Sequence, residues 1–479
     1  MKKSRIFKLF ALVGILILAL FFVAGDLGQA QSQVKSKPDK PGKPKPEPKP
    51  CNNNGICEWE EYDSKKSPDD QPCPDCLPKI YAPLLIDQDY LQIACVGQSG
   101  SGYPYSHGKV FQFKCTGQNY IDGDIVGVYE DAWRSESIGV FGRVVSIGDA
   151  DNDGDKEIIA VANYRVGRVK GESIYDQKIL IFETDSDGNP NWTSPYFGNP
   201  SSQGKIWDCI IADADNDGEN EVTLIRGKHI EIYRINYNSG DGSYAFSHVW
   251  TGPEYPSDIS VSIFGLDVGD ADNDGLNEVI LAMFEIGAPI IWKKEGETWS
   301  SKTAELIPPE YWNPDLSYFF LGIDVTKVRD ADNDGLNEII AGGNNNRLMI
   351  WKYNEASGNY ETVFISEDLL GNTPGVGAGD IDGDGENEVV AATSSLSDNN
   401  TLYVFKYVGE GIGYLIVNSI LCDGSSIGLS VKDLDQDGKA EIVSATKGIT
   451  IYDLIGSDVF FGYFVETYNC VFGASLEID

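Results

Sequence analysis

Short apolar runs bounded by polar turns dominate the chain from about Val144 onward. Val144–Ile147, Ile158–Ala162, Ile263–Val268 and Val279–Ala282 are brief and rich in β-branched residues. Such runs predict buried strands rather than helices. Each unit continues with two more segments of the same kind. In the first unit these are Lys178–Phe182 and a segment around Trp192. In the second they are His229–Tyr233 and Tyr244–Trp250, and in the fourth Arg347–Trp351 and Tyr360–Ile365. The pattern predicts an all-β chain made of four-stranded units of roughly 55 residues each.

The polar link between the first two strands of each unit carries the chemistry. It reads D-x-D-x-D-G-x-x-E, beginning at Asp149, Asp213, Asp270, Asp330, Asp380 and Asp433. The successive first aspartates are 64, 57, 60, 50 and 53 residues apart. A near-fixed period with four strands per unit predicts a β-propeller. Carboxylates at alternate positions of a tight loop can converge on one point, and an all-oxygen donor set suits Ca²⁺. The glycine at the sixth position permits a sharp turn. An EF-hand opens in the same way, but its glutamate stands at position twelve and helices flank it.

With these residues in view the chain resembles the FG-GAP (VCBS-type) propellers, a family that includes the head of integrin α-subunits. Phe141-Gly142 and Phe264-Gly265 stand where the family has its Phe-Gly pair, and Leu321-Gly322 and Ile427-Gly428 keep part of it. The resemblance covers about residues 79–479. It implies calcium held by side chains at loop positions one, three, five and nine and by the carbonyl of position seven. On this chain those are Asp149, Asp151, Asp153, Asp155 and Glu157, then Asp213, Asp215, Asp217, Glu219 and Glu221. The third and fourth sets are Asp270, Asp272, Asp274, Leu276, Glu278 and Asp330, Asp332, Asp334, Leu336, Glu338. The last two are Asp380, Asp382, Asp384, Glu386, Glu388 and Asp433, Asp435, Asp437, Lys439, Glu441. About six calcium ions are therefore expected. Integrin propellers often have Asp at position nine, whereas all six copies here have Glu.

A degenerate unit precedes the six. Leu84–Val96 reads as strand, shortened acidic loop and strand, with Lys109–Cys115 and Ile125–Trp133 as its third and fourth strands. Its loop lacks the third Asp, the Gly and the Glu, so no ion is expected there. The expectation is a seven-bladed propeller over 79–479, closed by pairing of Phe472–Asp479 with the first blade, which protects open edges.

The N-terminus predicts export. Lys2, Lys3, Arg5 and Lys8 precede the apolar run Leu9–Ala24, and residues 1–30 read as a signal peptide or an uncleaved signal anchor. Residues 31–50 form a Pro/Lys-rich linker expected to be extended. Residues 51–78 form a small cysteine-rich module with Cys51, Cys57, Cys73 and Cys76. In an exported protein two disulfides are expected there, with zinc as the alternative. Further on, Cys95 with Cys115 and Cys422 with Cys470 are candidate pairs, and Cys209 is expected to pack as an apolar side chain.

The net charge of −37 comes largely from the loops and disfavours nucleic acid or anionic membrane partners. A membrane is expected only through the N-terminal anchor. No catalytic constellation is evident. His107, His229 and His248 are expected on different blades and in no ligand or triad spacing. The expected function is a secreted or surface-tethered module that binds an extracellular protein or glycan. The alternatives are a calcium-dependent polysaccharide lyase, with Arg165, Arg168 and Lys170 as basic candidates, and a structural cell-surface component. In this family ligands usually meet the face away from calcium. Here that face includes the expected loops Asn163–Asp176 and Pro308–Tyr318, the latter with Tyr311, Trp312 and Tyr318 as ligand-binding candidates.

Overall fold

The structure is a computed structural model. It describes residues 81–84, 92–98, 108–121, 124–135, 142–169, 172–184, 190–195, 206–227, 229–238, 240, 243–253, 263–283, 287–308, 311, 323–394, 400–422, 428–445, 448–456, 459–467 and 476–478. The leader, the linker, the cysteine-rich module and Cys51, Cys57, Cys73 and Cys76 lie outside the described residues.

Six regular four-stranded antiparallel blades follow one another along the chain. The first is β5 (Gly142–Gly148), β6 (Glu157–Val169), β7 (Glu172–Thr184) and β8 (Pro190–Pro195). The second is β9 (Ile206–Ala212), β10 (Glu221–Arg226), β11 (His229–Asn238) and β12 (Ser243–Thr251). The third is β13 (Ile263–Gly269), β14 (Glu278–Met283), β15 (Ile290–Glu295) and β16 (Thr298–Thr303). The fourth is β17 (Ile323–Arg329), β18 (Glu338–Gly343), β19 (Leu348–Asn354) and β20 (Asn359–Ile365). The fifth is β21 (Asn372–Gly379), β22 (Glu388–Ser394), β23 (Thr401–Tyr407) and β24 (Tyr414–Leu421), and the sixth is β25 (Gly428–Lys432), β26 (Glu441–Ala445), β27 (Gly448–Ile455) and β28 (Val459–Thr467). Each acidic loop joins the first strand of a blade to the second, and its glutamate begins that second strand.

Burial explains the patterning. The second strands of the second, third and fourth blades are buried at every position, because both faces meet neighbouring blades. The fourth strands are partly exposed, as in β12 and β24. Most of the apolar clusters lie between successive blades rather than inside one. Ile225, Ile232, Val279 and Trp292 join the second to the third. Ile280, Ile291, Ile339 and Trp351 join the third to the fourth, and Ile340, Ile350, Val389 and Phe405 the fourth to the fifth.

The region before the first regular blade departs from expectation. Strands β1 (Tyr81–Leu84), β2 (Gln92–Gln98), β3 (Gly108–Ile121) and β4 (Asp124–Arg134) form a five-stranded sheet with β29 (Leu476–Ile478). Leu84–Val96 does not form the expected first hairpin, because β1 pairs with the far end of β3 at Tyr81↔Tyr120 and not with β2. Beside β2 lies β29, with Ile93↔Ile478 and Cys95↔Leu476 in register. This sheet is thus not a seventh copy of the regular four-stranded blade. Strand β29 also contacts β25 and β5, the first strands of the sixth and first blades.

Four smaller expectations are corrected. Cys115 is a buried free thiol, not half of a disulfide with Cys95. The register sets Cys95 opposite Phe111, four residues from Cys115, which exceeds the reach of a disulfide. Cys422 is likewise a free thiol, and Cys470 lies outside the described residues. His229 and His248 share the second blade, on β11 and β12, whereas His107 lies outside the described residues. Asn163–Asp176 is not an open loop, because β6 and β7 pair from Asn163↔Gln177 out to Val169↔Glu172 as a long hairpin. Cys209 is a buried thiol, as expected. No helix among the described residues is long and apolar enough to cross a membrane.

Candidate metal centres in the acidic loops

The six loops share one backbone design. The fourth residue is left-handed, with φ between 61° and 75° at Asn152, Asn216, Asn273, Asn333, Gly383 and Gln436. The sixth is glycine with φ between 85° and 96°, a region costly for any side chain. The first aspartate holds this turn. Asp149 Oδ1 accepts the Asp153 N–H at 3.0 Å and Oδ2 the Gly154 N–H at 3.0 Å. Asp213, Asp270 and Asp380 repeat the pair of bonds.

The ninth-position glutamate closes the loop from below. Glu157 Oε2 accepts the N–H of Ala150 at 2.8 Å, and the same bond recurs from Ala214, Ala271, Ala331, Ile381 and Leu434. These glutamates are almost wholly buried. The reach to a second-position amide accounts for Glu where a shorter side chain would fall short. Oε1 is left facing the aspartates.

Carboxylate oxygens therefore converge. Those of Asp149, Asp151 and Glu157 lie within 4.8 Å of one another, as do those of Asp213, Asp215 and Glu221, of Asp270, Asp272 and Glu278, and of Asp330, Asp332 and Glu338. The sixth loop gathers four, Asp433, Asp435, Asp437 and Glu441. At position seven the side chains of Leu276 and Leu336 are exposed apolar groups and leave only the backbone for a ligand in those two loops. Lys439, at position seven of the sixth loop, turns its Nζ to Asp124 at 2.9 Å.

Whether a hard cation fits is decided by what already neutralises the carboxylates. In the sixth loop Asp433 Oδ1, Asp435 Oδ2 and Glu441 Oε1 are buried, and no donor among the described residues reaches them. Burial, then repulsion from Asp437 and Asp453, pushes the Asp435 carboxyl up to about 8. Burial pushes Asp453 up to about 6 and Glu441 well above the usual carboxylate range, the charge of Asp453 adding to the latter. Crowded, dry, donor-free oxygens fit a divalent cation bound through oxygen.

Sequence reasoning missed two groups of residues here. One is a column on the third strand, at the register position opposite the ninth-position glutamate. It holds Glu183, Arg234, Lys293, Lys352, Lys406 and Asp453 from the first blade to the sixth. Lys293 Nζ lies 2.7 Å from Asp272, 2.7 Å from Asp274 and 2.8 Å from Glu278. Lys352 grips Asp332, Asp334 and Glu338 in the same way, and Lys406 grips Asp382, Asp384 and Glu388. Arg234 spans Asp217, Glu219 and Glu221. Burial alone would depress the Lys293 ammonium, but its three carboxylate partners outweigh that and hold it above the usual lysine range. The signal was an aromatic residue before each charge, Phe182, Tyr233, Trp292, Trp351, Phe405 and Tyr452.

The other group is an asparagine clasp between loops. Asn152 Nδ2 donates to the carbonyl of Asn220 at 3.1 Å, the Asn220 N–H returns to Asn152 Oδ1 at 2.6 Å, and Asn220 Nδ2 donates to the Asp149 carbonyl at 2.8 Å. Asn216 with Asn277, Asn273 with Asn337 and Asn333 with Asn387 repeat it. Between the fifth and sixth loops only a backbone bond remains, from the Ala440 N–H to the Asp380 carbonyl at 2.6 Å. The asparagines at positions four and eight were the signal.

Of the aromatic candidates, Tyr311 packs against the core between the third and fourth blades and lies under the Arg347 guanidinium, 5.3 Å from ring centre. Its ring is partly buried there. Trp312 and Tyr318 lie outside the described residues.

Comparison with known proteins agrees with the architecture. The FG-GAP-like repeat family model matches residues 330–391 and 380–444. No curated protein matches. Among solved structures the chain is similar to a putative 6-phosphogluconolactonase from Bacteroides fragilis, with 11% identity, a TM-score of 0.51, and coverage of 81% of this chain and 98% of that one. A putative 6-phosphogluconolactonase from Bacteroides uniformis is similar at 14% identity and a TM-score of 0.49, covering 81% and 100%. At such identity the likeness is one of fold.

Proposed function

This chain belongs to the FG-GAP β-propeller family, and from that premise we propose that it is an exported calcium-binding propeller that presents a ligand-binding face to an extracellular protein or glycan. One observation carries the metal half of this reading: buried carboxylate oxygens in the sixth loop face one another with no donor from the described residues between them. The loop backbone supplies the turn, the first aspartate and the glutamate are locked by amide bonds, and an oxygen-seeking cation completes the site. When bound, calcium would neutralise charge and tie the loop; its place here is structural. The ring is read as seven-membered, with the five-stranded sheet as the closing blade between the sixth and the first.

The ligand face is assigned to the end away from the acidic loops. The long β6–β7 hairpin supports this, because it extends from that end of its blade. A basic leader followed by an apolar run supports export to a calcium-rich compartment. The test is a melt and a glycan and protein binding screen of the purified chain, each with calcium and with excess chelator. Calcium at ten times Kd stabilises by roughly 1.4 kcal/mol per occupied site, so the melting temperature is expected to drop on chelation. An unchanged melt, with metal shown to be gone, would refute the calcium reading.

A further inference from the structure

The charge opposite the ninth-position glutamate sets the sixth loop apart from the four before it. We infer that the four middle loops are filled by a tethered cation of the protein itself, and that calcium is taken by the sixth loop, where it clamps the last regular blade to the five-stranded sheet. This rests on the calcium reading above and sharpens it.

In the middle blades the ion's place is already occupied. The ammonium groups of Lys293, Lys352 and Lys406 each bond three loop carboxylates at 2.6–2.9 Å. Those are the oxygens a calcium ion would bind at about 2.3–2.6 Å, so the two cations exclude each other. The second loop has Arg234 on Asp217 and Glu221, and Lys294 from the next blade on Asp215 at 2.8 Å. These side chains are mostly buried, which leaves little room to swing aside.

The sixth blade inverts this. At the same register position it has Asp453, a carboxylate where the middle blades have a cation. Asp453 is buried, and its Oδ2 accepts the Gly127 N–H at 3.3 Å. The nearby Lys439 is held at the rim by Asp124. Four loop carboxylates converge here instead of three.

The position of the sixth loop gives the arrangement a purpose. Strand β29 of the five-stranded sheet contacts both β5 and β25. Gln118 Nε2 donates to the Asp435 carbonyl at 2.6 Å, and the Gly456 N–H to Asp124 Oδ2 at 2.7 Å. The sixth loop is thus stitched to β3 and β4. Calcium there would set the join where the ring's two ends meet, while the middle blades hold without metal.

The test is metal counting on the full chain, stripped with chelator and then titrated with calcium near 10⁻⁴ M, together with hydrogen exchange. At most two ions per chain are expected, one of them in the sixth loop, and chelation is expected to raise exchange at β3, β4 and β29 at least tenfold while β14, β18 and β22 stay protected. Lys352→Met is expected to raise the count by one, and Asp453→Lys to lower it by one. More than two ions on the unaltered chain, or a count that neither variant moves, overturns the inference and leaves the calcium reading standing. If Lys352→Met fails to fold, Lys406→Met carries the same test. No calcium bound at 10⁻³ M overturns both.

Discussion

Replacing Asn273 by alanine tests whether the loops hold one another as well as an ion. The side chain makes two partly buried bonds to the next blade: Oδ1 accepts the Asn337 N–H at 2.7 Å, and Nδ2 donates to the Asn337 carbonyl at 3.1 Å. Each is worth about 1 kcal/mol net. Asn273 also sits at φ 61°, where alanine costs about 1 kcal/mol or more. The expected destabilisation is therefore about 3 kcal/mol. Asn273→Gly separates the two causes, because glycine has no penalty at that φ and is the residue the fifth loop uses at Gly383. It is expected to cost about 2 kcal/mol, the bonds alone. Asn337→Ala, which removes only the Nδ2 bond to the Asp270 carbonyl at 2.9 Å, is expected to cost about 1 kcal/mol. Urea unfolding followed by tryptophan fluorescence, in calcium and in chelator, measures all three. The third loop carries its own lysine, so the ranking is expected to be the same in both conditions. If both Asn273 variants unfold within about 0.5 kcal/mol of the unaltered chain, the clasp contributes nothing and the reasoning fails. If only the alanine variant is weakened, backbone strain rather than the bonds is responsible.

In chelator the chain is expected to melt higher at pH 5 than at pH 8.5. The folded-state values of Asp453 and Asp435 are raised to about 6 and about 8, so their contribution is present at low pH and lost as pH rises through those values; Asp453→Asn should reduce the slope, and a melting temperature that falls on acidification in chelator would contradict it. Trp351→Ala is expected to cost about 3–5 kcal/mol, because the ring is fully buried between blades and its Nε1–H donates to the Glu305 carbonyl at 2.9 Å; a loss under 1 kcal/mol in urea unfolding would place the ring outside the core. Cys115, whose thiol burial pushes up to about 11, is expected to resist alkylation at pH 8 until the chain is unfolded, and rapid labelling of the native protein, read by peptide mass, would show the register of β3 to be wrong.

Much of this molecule was legible in one dimension. Four short strands per unit, the nine-residue acidic loop and its period gave the six regular blades and their order, because a strand pair joined by a tight turn is a local structure. The loop's turn was legible for the same reason: Asp149, Gly154 and Glu157 act on amides within eight residues of one another. The closure by the C-terminal segment was legible too, and β29 does pair with β2, but the place of β1 was not, because its pairing with the far end of β3 rather than with β2 is a choice between distant partners that no local pattern reports. Nor was the state of each loop. Whether Glu278 faces an ammonium and Glu441 a carboxylate depends on the strand register that sets Lys293 or Asp453 opposite, and turns of unequal length hide that column in the sequence. The clasps of Asn152 to Asn220 and Asn273 to Asn337 likewise exist only once neighbouring blades are brought side by side. Local hydrogen bonding and hydrophobic period set the blades and their loops; packing of blade on blade decided which charges share a site.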